Sequence, residues 1–195
     1  MSRSHAAPAG RQAPDDVFLY TRADDPLAQP LVEALTQEYD SRYGDFFREP
    51  GVPPEMQRYP AEAFLAPEGN FLLLLRQGQA VGGGAFKRHD GQTAEFKRIW
   101  TREDLRRQGL ARRVLVELEA QAWRQGYRRI YLTTGCRQPE AVALYLGWGY
   151  RALYDPRIDP EIHRTLPFEK KLRPPTPVAL ASVRSGPQAA VGSNA

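Results

Sequence analysis

The sequence predicts an α/β fold: a mixed, mostly antiparallel central sheet flanked by helices. Three observations carry that prediction. Strand-like runs at 70–76, 79–87 and 93–101 follow one another through short glycine-containing turns, as hairpins do. Directly after Thr101 the two-residue pattern gives way to a four-residue one, Leu110, Val114, Leu118 and Ala122, which is the period of an amphipathic helix. From there on, strand and helix patterns alternate.

In chain order, residues 1–14 are small, polar and proline-containing and read as a disordered tail. A short strand at 17–21 precedes a helix at 27–43, where Leu31, Leu35 and Tyr39 repeat at i+4 and Gly44 supplies the stop. Pro50, Pro53 and Pro54 break the chain before a weaker helical piece at 61–65. Strand 70–76 ends at Gln77-Gly78, and the next two strands are joined by His89-Asp90-Gly91, a strong hairpin signal. The helix that starts at Leu110 ends at Gly126, a natural left-handed cap, and a strand follows at 129–134. Pro139 suits a first helical position and Gly149 a helix end, so 140–147 is helical. Strands at 150–154 and 166–172 close a domain spanning 15–173. Residues 174–195, rich in Pro, Ala, Gly and Ser without a period, read as a second disordered tail.

Composition narrows the class of function. A chain of 195 residues, 42% hydrophobic and 26% charged, builds one domain with a core. Its longest apolar run, 71–75, falls far short of the roughly 20 residues needed to span a bilayer, so no membrane partner is expected. The N-terminus lacks the apolar core of a secretory signal, which makes the cytoplasm the expected compartment. Cys136 is the only cysteine, and His5, His89 and His163 fall in a tail, a hairpin turn and a late loop, so no metal site is expected. Of the net charge of +4, Arg3, Arg11 and Arg184 belong to the tails, which leaves a nearly neutral folded part and argues against nucleic acid. One basic cluster remains: Lys97, Arg98, Arg102, Arg106, Arg107, Arg112 and Arg113.

That cluster sits where a strand passes through a short loop into a helix. Such a helix start presents unpaired backbone N–H groups and the positive end of the helix dipole, and Gly109 lets the backbone come close to a ligand. The segment can hold a pyrophosphate. On the loop alone, a solvated arginine face around an ordinary turn explains it equally well. No Gly-Lys-Ser/Thr follows, and a single glycine does not make a dinucleotide fingerprint.

The wider context is more specific. Arg106-x-x-Gly109-x-Ala111 resembles the pyrophosphate motif of the Gcn5-related N-acetyltransferase (GNAT) family, Gln/Arg-x-x-Gly-x-Gly/Ala. Downstream, Ala141-x-x-Leu144-Tyr145-x-x-x-Gly149-Tyr150 resembles that family's second motif, and upstream Ala94-Glu95 resembles the position of a catalytic glutamate. The resemblance covers 79–172 and implies a GNAT-like acyl-CoA N-acyltransferase fold that uses acetyl-CoA as cosubstrate. It implies that Glu95 takes the proton of the acceptor amine, directly or through water, and that Tyr145 protonates the departing thiolate. It gives the cosubstrate to Ile99, Trp100 and Thr101, with the Ile99 N–H facing the developing oxyanion. It also gives it to Arg106, Arg107, Gln108, Gly109, Leu110, Ala111 and Arg112. Gln138 stands, before Pro139, where many members carry asparagine. The residues by themselves leave bland alternatives: Glu95 as a strand residue opposite a Lys or Arg, Tyr145, Trp100 and Phe96 as core, and Gly82, Gly83 and Gly84 as packing or a bulge.

The acceptor should lie against the first helix and the loop after it, where Glu38, Tyr39, Asp40, Arg42, Tyr43, Asp45, Phe46, Phe47 and Arg48 mix charge with aromatics. Acidic members favour an amine and arginines an amino acid, and the residues do not choose. The expected reaction is acetylation of a small-molecule primary amine by direct attack, with a homodimer admissible. The alternatives are a protein N-terminal or lysine acetyltransferase and a non-catalytic CoA- or nucleic-acid-binding module.

Overall fold

The computed structural model describes residues 16–47 and 50–175 together with the backbone of 183–185. The N-terminal tail and most of 174–195 therefore lie outside the described residues, as does Arg48. Eight strands form one sheet: β1 (Asp16–Thr21), β2 (Asn70–Arg76), β3 (Gln79–Arg88), β4 (Thr93–Thr101), β5 (Arg129–Gly135), β6 (Arg151–Ala152), β7 (Thr165–Lys171) and β8 (Val183–Ser185). Their order is β6-β7-β5-β4-β3-β2-β1-β8. β4–β5 and β1–β8 are the parallel pairs, and every other pair is antiparallel. The helices are α1 (Gln29–Tyr43), α2 (Leu110–Arg124), α3 (Pro139–Gly147) and the single turn α4 (Pro160–His163).

The mixed sheet with flanking helices agrees with the sequence pattern, and three details differ. Val183–Ser185, expected in a disordered tail, extend beside β1 because that outer strand still has unpaired backbone groups to offer. The expected strand at 150–154 shrinks to Arg151–Ala152, since Asp155-Pro156 turns the chain away. The weak helix at 61–65 is a single 3₁₀ turn, Ala61–Phe64, too short for an α-helical ladder.

Two cores clothe the sheet. On one face α2 buries Leu110, Val114, Leu115 and Leu118 against Leu72, Leu74, Phe86, Phe96 and Leu132. On the other, Leu31 and Leu35 of α1 meet Phe64, Phe71, Leu73, Ala85 and Trp100. The Gly82-Gly83-Gly84 run makes this double approach feasible. A Cβ on Gly83 would meet Leu31 Cδ1 at 2.6 Å and the Leu72 carbonyl at 2.8 Å, whereas one on Gly84 would meet Ile99 and Leu118 of the opposite layer. Helices from both faces thus rest on bare backbone. Beneath α2, the Glu117 carboxylate is buried but satisfied, accepting from the Tyr20 hydroxyl at 2.5 Å and from Arg124 at 2.7 Å.

This packing predicts that Gly83→Ala destabilises the fold by about 1–3 kcal/mol through overpacking. Gly91→Ala, with nothing within 4 Å of its Cβ, should change stability by under about 0.5 kcal/mol. Urea unfolding of the two variants measures the contrast, and equal midpoints would show that Leu31 and the Leu72 carbonyl yield freely.

Candidate active site

The site begins with two parallel strands that part. β4 and β5 pair from Thr93↔Arg129 to Phe96↔Leu132 and no further, although each continues: β4 to Thr101, β5 to Gly135. The cause lies on the other side of β4. Gly83 pairs with Trp100 and Ala85 with Lys97, so Gly84 faces both Arg98 and Ile99. That extra residue is a β-bulge, and Arg98 occupies it with φ of 59°, a left-handed conformation unusual for a side-chain-bearing residue. The bulge bends β4 away from β5.

The gap opens into a cavity of about 640 Å³. One wall is Phe96, Lys97, Arg98 and Ile99 of β4; the facing one is Thr133, Thr134 and Gly135 of β5 with Gln138, Ala141 and Tyr145 of α3. α1 contributes Tyr39, Asp40 and Tyr43, and the proline-rich segment contributes Pro50, Val52, Pro53, Pro54, Glu55 and Met56. Gly135 has room for no side chain, because a Cβ there would stand 2.0 Å from the Tyr43 hydroxyl. That hydroxyl instead accepts from the Arg137 N–H at 3.1 Å and ties the end of α1 to the end of β5.

Ile99, Gln138 and Tyr145 meet on this cavity; Glu95 does not reach its wall. Tyr145 is buried, burial alone raises its phenol well above the ordinary value, and no described residue hydrogen-bonds its hydroxyl. It is neutral at ordinary pH and free to donate. Glu95 is buried between Lys87 at 2.7 Å and Lys97 at 3.0 Å. Burial would raise its carboxyl, but the two lysines outweigh that and hold it below the usual carboxylate range. Burial likewise opposes the charge on Lys97, yet Glu55 at 3.1 Å and Glu95 overcome it and raise that ammonium. Glu55, which also pairs with Arg58 at 3.0 Å, is the carboxylate of this chain of charges that lies on the cavity wall, beside Lys97 and Arg58. Gln138 is spent on the protein: its amide oxygen accepts from Thr134 Oγ1 at 2.8 Å and from the Gly135 N–H at 3.1 Å.

The other half of the site follows β4. Gly109 caps α2 in the left-handed conformation, φ 77°, with open space where a Cβ would be and no side chain capping the helix start. The N–H groups of Leu110, Ala111 and Arg112 open that first turn. Arg106 reaches Glu38 at 3.3 Å, Gln108 accepts from Arg76 at 3.3 Å, Arg112 lies over the Trp148 ring at 4.9 Å, and Arg107 is exposed. The Thr101 hydroxyl is buried with no partner among the described residues, an orphan that suits a polar ligand along the strand. The Trp100 side chain is committed to the core under α1. The basic cluster, contiguous in sequence, is dispersed in space: Lys97 pairs inside, Arg102 pairs with Asp104, and Arg113 pairs with Asp16.

Sequence reasoning passed over Glu55, Arg58 and Met56, whose segment read only as a proline break, and it counted Arg98 merely as one basic residue among seven. Of the residues expected to meet the acceptor, Tyr39, Asp40, Tyr43 and Phe47 line the cavity. Arg42 is instead drawn to Glu38 at 3.0 Å and to Glu140.

Comparison with known proteins identifies the family and the fold. The model of the acetyltransferase (GNAT) family matches residues 32–150. A curated relative, the IAA acetyltransferase of Azospirillum brasilense, is 30% identical over 129 residues, which is 65% of this chain and 80% of that protein. A Klebsiella pneumoniae structure assigned to the acyl-CoA N-acyltransferases is 25% identical with a TM-score of 0.62, covering 82% of this chain and 99% of the other. The fold of the PaiA N-acetyltransferase of Thermoplasma acidophilum, solved with coenzyme A, matches at 16% identity and a TM-score of 0.60, over 80% of this chain and 99% of that one. With the motifs on β4, α2 and α3 in the family's order, the chain belongs to the acetyltransferase (GNAT) family, whose members transfer acetyl groups from acetyl-CoA.

Proposed function

We propose that this protein acetylates the primary amine of a small molecule, with Ile99, Tyr145 and Glu95 in the chemistry and the start of α2 on the pyrophosphate. The observation that carries the reading is the parting of β4 from β5. It leaves the Ile99 N–H without a partner strand on a cavity that Tyr145 lines from the other side. Acetyl-CoA supplies the activated acyl group when bound. The chain has the features such a ligand needs: the orphaned Thr101 hydroxyl, the side-chain-free cradle at Gly109, and the uncapped helix start beside Arg106, Arg107 and Arg112. A concave cavity of about 640 Å³ with aromatic walls supports a small acceptor.

In the reaction the ammonium first loses one proton to the base, the amine nitrogen bonds to the acyl carbon, the carbon–sulfur bond breaks, and the nitrogen's second proton balances the one the thiolate gains, so that one proton is released overall. The Ile99 N–H supports the negative charge that grows on the acyl oxygen. Tyr145 hands a proton or a strong hydrogen bond to the thiolate sulfur; its raised phenol keeps that proton at hand at neutral pH. Glu95 accepts the amine's proton through water, because Lys97 and Glu55 lie between its carboxylate and the cavity.

Three outcomes follow. Tyr145→Phe keeps the ring and its packing, so calorimetric affinity for acetyl-CoA should stay within about twofold while turnover falls roughly 10²- to 10⁴-fold; full turnover would return Tyr145 to the core. Gly109→Val places a branched residue at positive φ in the cradle, and Arg106→Ala removes a charge. Both should weaken acetyl-CoA binding about tenfold or more in the same titration, and unchanged binding would move the pyrophosphate elsewhere. The pH profile tests Glu95. Its lowered carboxyl is ionised throughout the neutral range, so Glu95→Gln should be impaired there and should recover toward an amine pKa of about 10.4, where solution supplies the neutral nucleophile. A wild-type profile in Glu95→Gln, with the deficit appearing in Glu55→Gln, would transfer the role to Glu55.

A further inference from the structure

The cavity wall carries one half-buried cation without a carboxylate counter-ion among the described residues. Lys97 has Glu95 and Glu55, and Arg58 has Glu55. Arg98 has no carboxylate partner among the described residues. Glu55 acts on it through space but is already shared by two other cations. Asp40, the other unpaired charge on the wall, is exposed at the end of α1, where solvent screens it. Arg98 is half-buried, and burial pushes its guanidinium below its ordinary value, with Glu55 only partly offsetting this. Of its five N–H donors, one reaches the Met56 carbonyl at 3.0 Å. Its guanidinium lies 4.5 Å from the centre of the Phe64 ring, which fixes the plane of the group.

The backbone adds an independent observation. Arg98 is the bulge residue itself, in a conformation that costs energy for any residue with a Cβ. An asparagine or glycine there would give the same bend with less strain. Its neighbour Ile99 carries the N–H assigned above to the reacting acyl oxygen. Both residues line the same cavity, so a ligand within it can meet the guanidinium and the reacting centre together. Around the pair, Tyr39, Tyr43, Phe47, Val52 and Met56 form an apolar wall.

We propose that Arg98 sets acceptor specificity: it receives a carboxylate of the acceptor, so that the amine acetylated here belongs to an amino acid with an apolar or aromatic side chain. This rests on the acetyl-transfer reading above. A guanidinium binds a carboxylate in a planar fork, and a half-buried fork without a carboxylate partner gains most from one. Arginine's role at this bulge is then recognition as well as shape.

The test compares matched acceptors with and without the carboxylate, L-phenylalanine against phenethylamine and L-leucine against isoamylamine, by the release of free CoA from acetyl-CoA. The full-length protein should favour each amino acid about 10- to 100-fold in kcat/KM. Arg98→Gly, which keeps the positive φ, should bring that ratio near one, with the loss falling on the amino acid, and Arg98→Lys should retain part of it. Preference for the bare amines in the wild type, or a ratio that survives Arg98→Gly, overturns the inference while acetyl transfer stands. Calorimetric titration of the CoA-loaded protein with phenylacetate gives a readout without turnover. Binding that Arg98→Gly abolishes supports the carboxylate site even if no panel amine is acetylated, an outcome that would count against the acetyl-transfer reading alone. Absence of phenylacetate binding together with absence of acceptor preference overturns the inference.

Discussion

Everything at the site depends on β4 abandoning its partner. Parallel strands that stay paired consume each other's N–H and C=O groups, and no ligand can enter between them. Here the ladder runs for four pairs, from Thr93 to Phe96, and the bulge at Arg98 then bends one strand out of register. The backbone beyond it is released for other partners, and the cavity is the space so created. Gly84 makes the bend practicable, since it faces two residues at once and leaves room for Ile99 and Leu118 beside it.

The charges near the opening form a second layer of order. Lys87, Glu95, Lys97, Glu55 and Arg58 alternate in sign along one path, and Tyr59 lies under both lysines. Ions removed from water are stable only when each has a close opposite partner. The chain therefore fixes where the segment holding Glu55 and Met56 sits relative to β4. That segment adds no strand to the sheet, yet it lines the cavity. Electrostatic order here replaces the backbone ladder that a longer strand would have supplied.

Much of the architecture was legible because its boundaries fall on residues with strong backbone preferences. Gly44, Gly78, Gly109, Gly126 and Gly149 all take positive φ where the sequence placed a turn or helix end, and Pro139 opens α3. The core stripe of α2 was equally plain. The lysines around Glu95 were readable in principle. Lys97 is two residues on, on the same side of a strand, and the Asp90-Gly91 hairpin brings Lys87 directly opposite. Arg98 was not, because nothing in its own identity announces a left-handed bulge. Glu55 escaped for a different reason: its neighbours are prolines, which report where a chain cannot be helical and say nothing of which cavity it borders.

The order of the strands has one more consequence. The outermost strands are β6, with two residues, and β8, with three. A sheet of eight strands would ordinarily end in two long rows of unpaired backbone groups, which invite other chains to add on and seed fibrils. Along the paired stretches, β7 and β1, which could have been such templates, are covered by these stubs, and neither stub is long enough to nucleate cross-β growth itself. The long unpaired stretch of strand that survives lies inside the molecule, where β4 leaves β5, at the mouth of the cavity. A surface that would be a hazard at the rim is thereby turned toward the cavity.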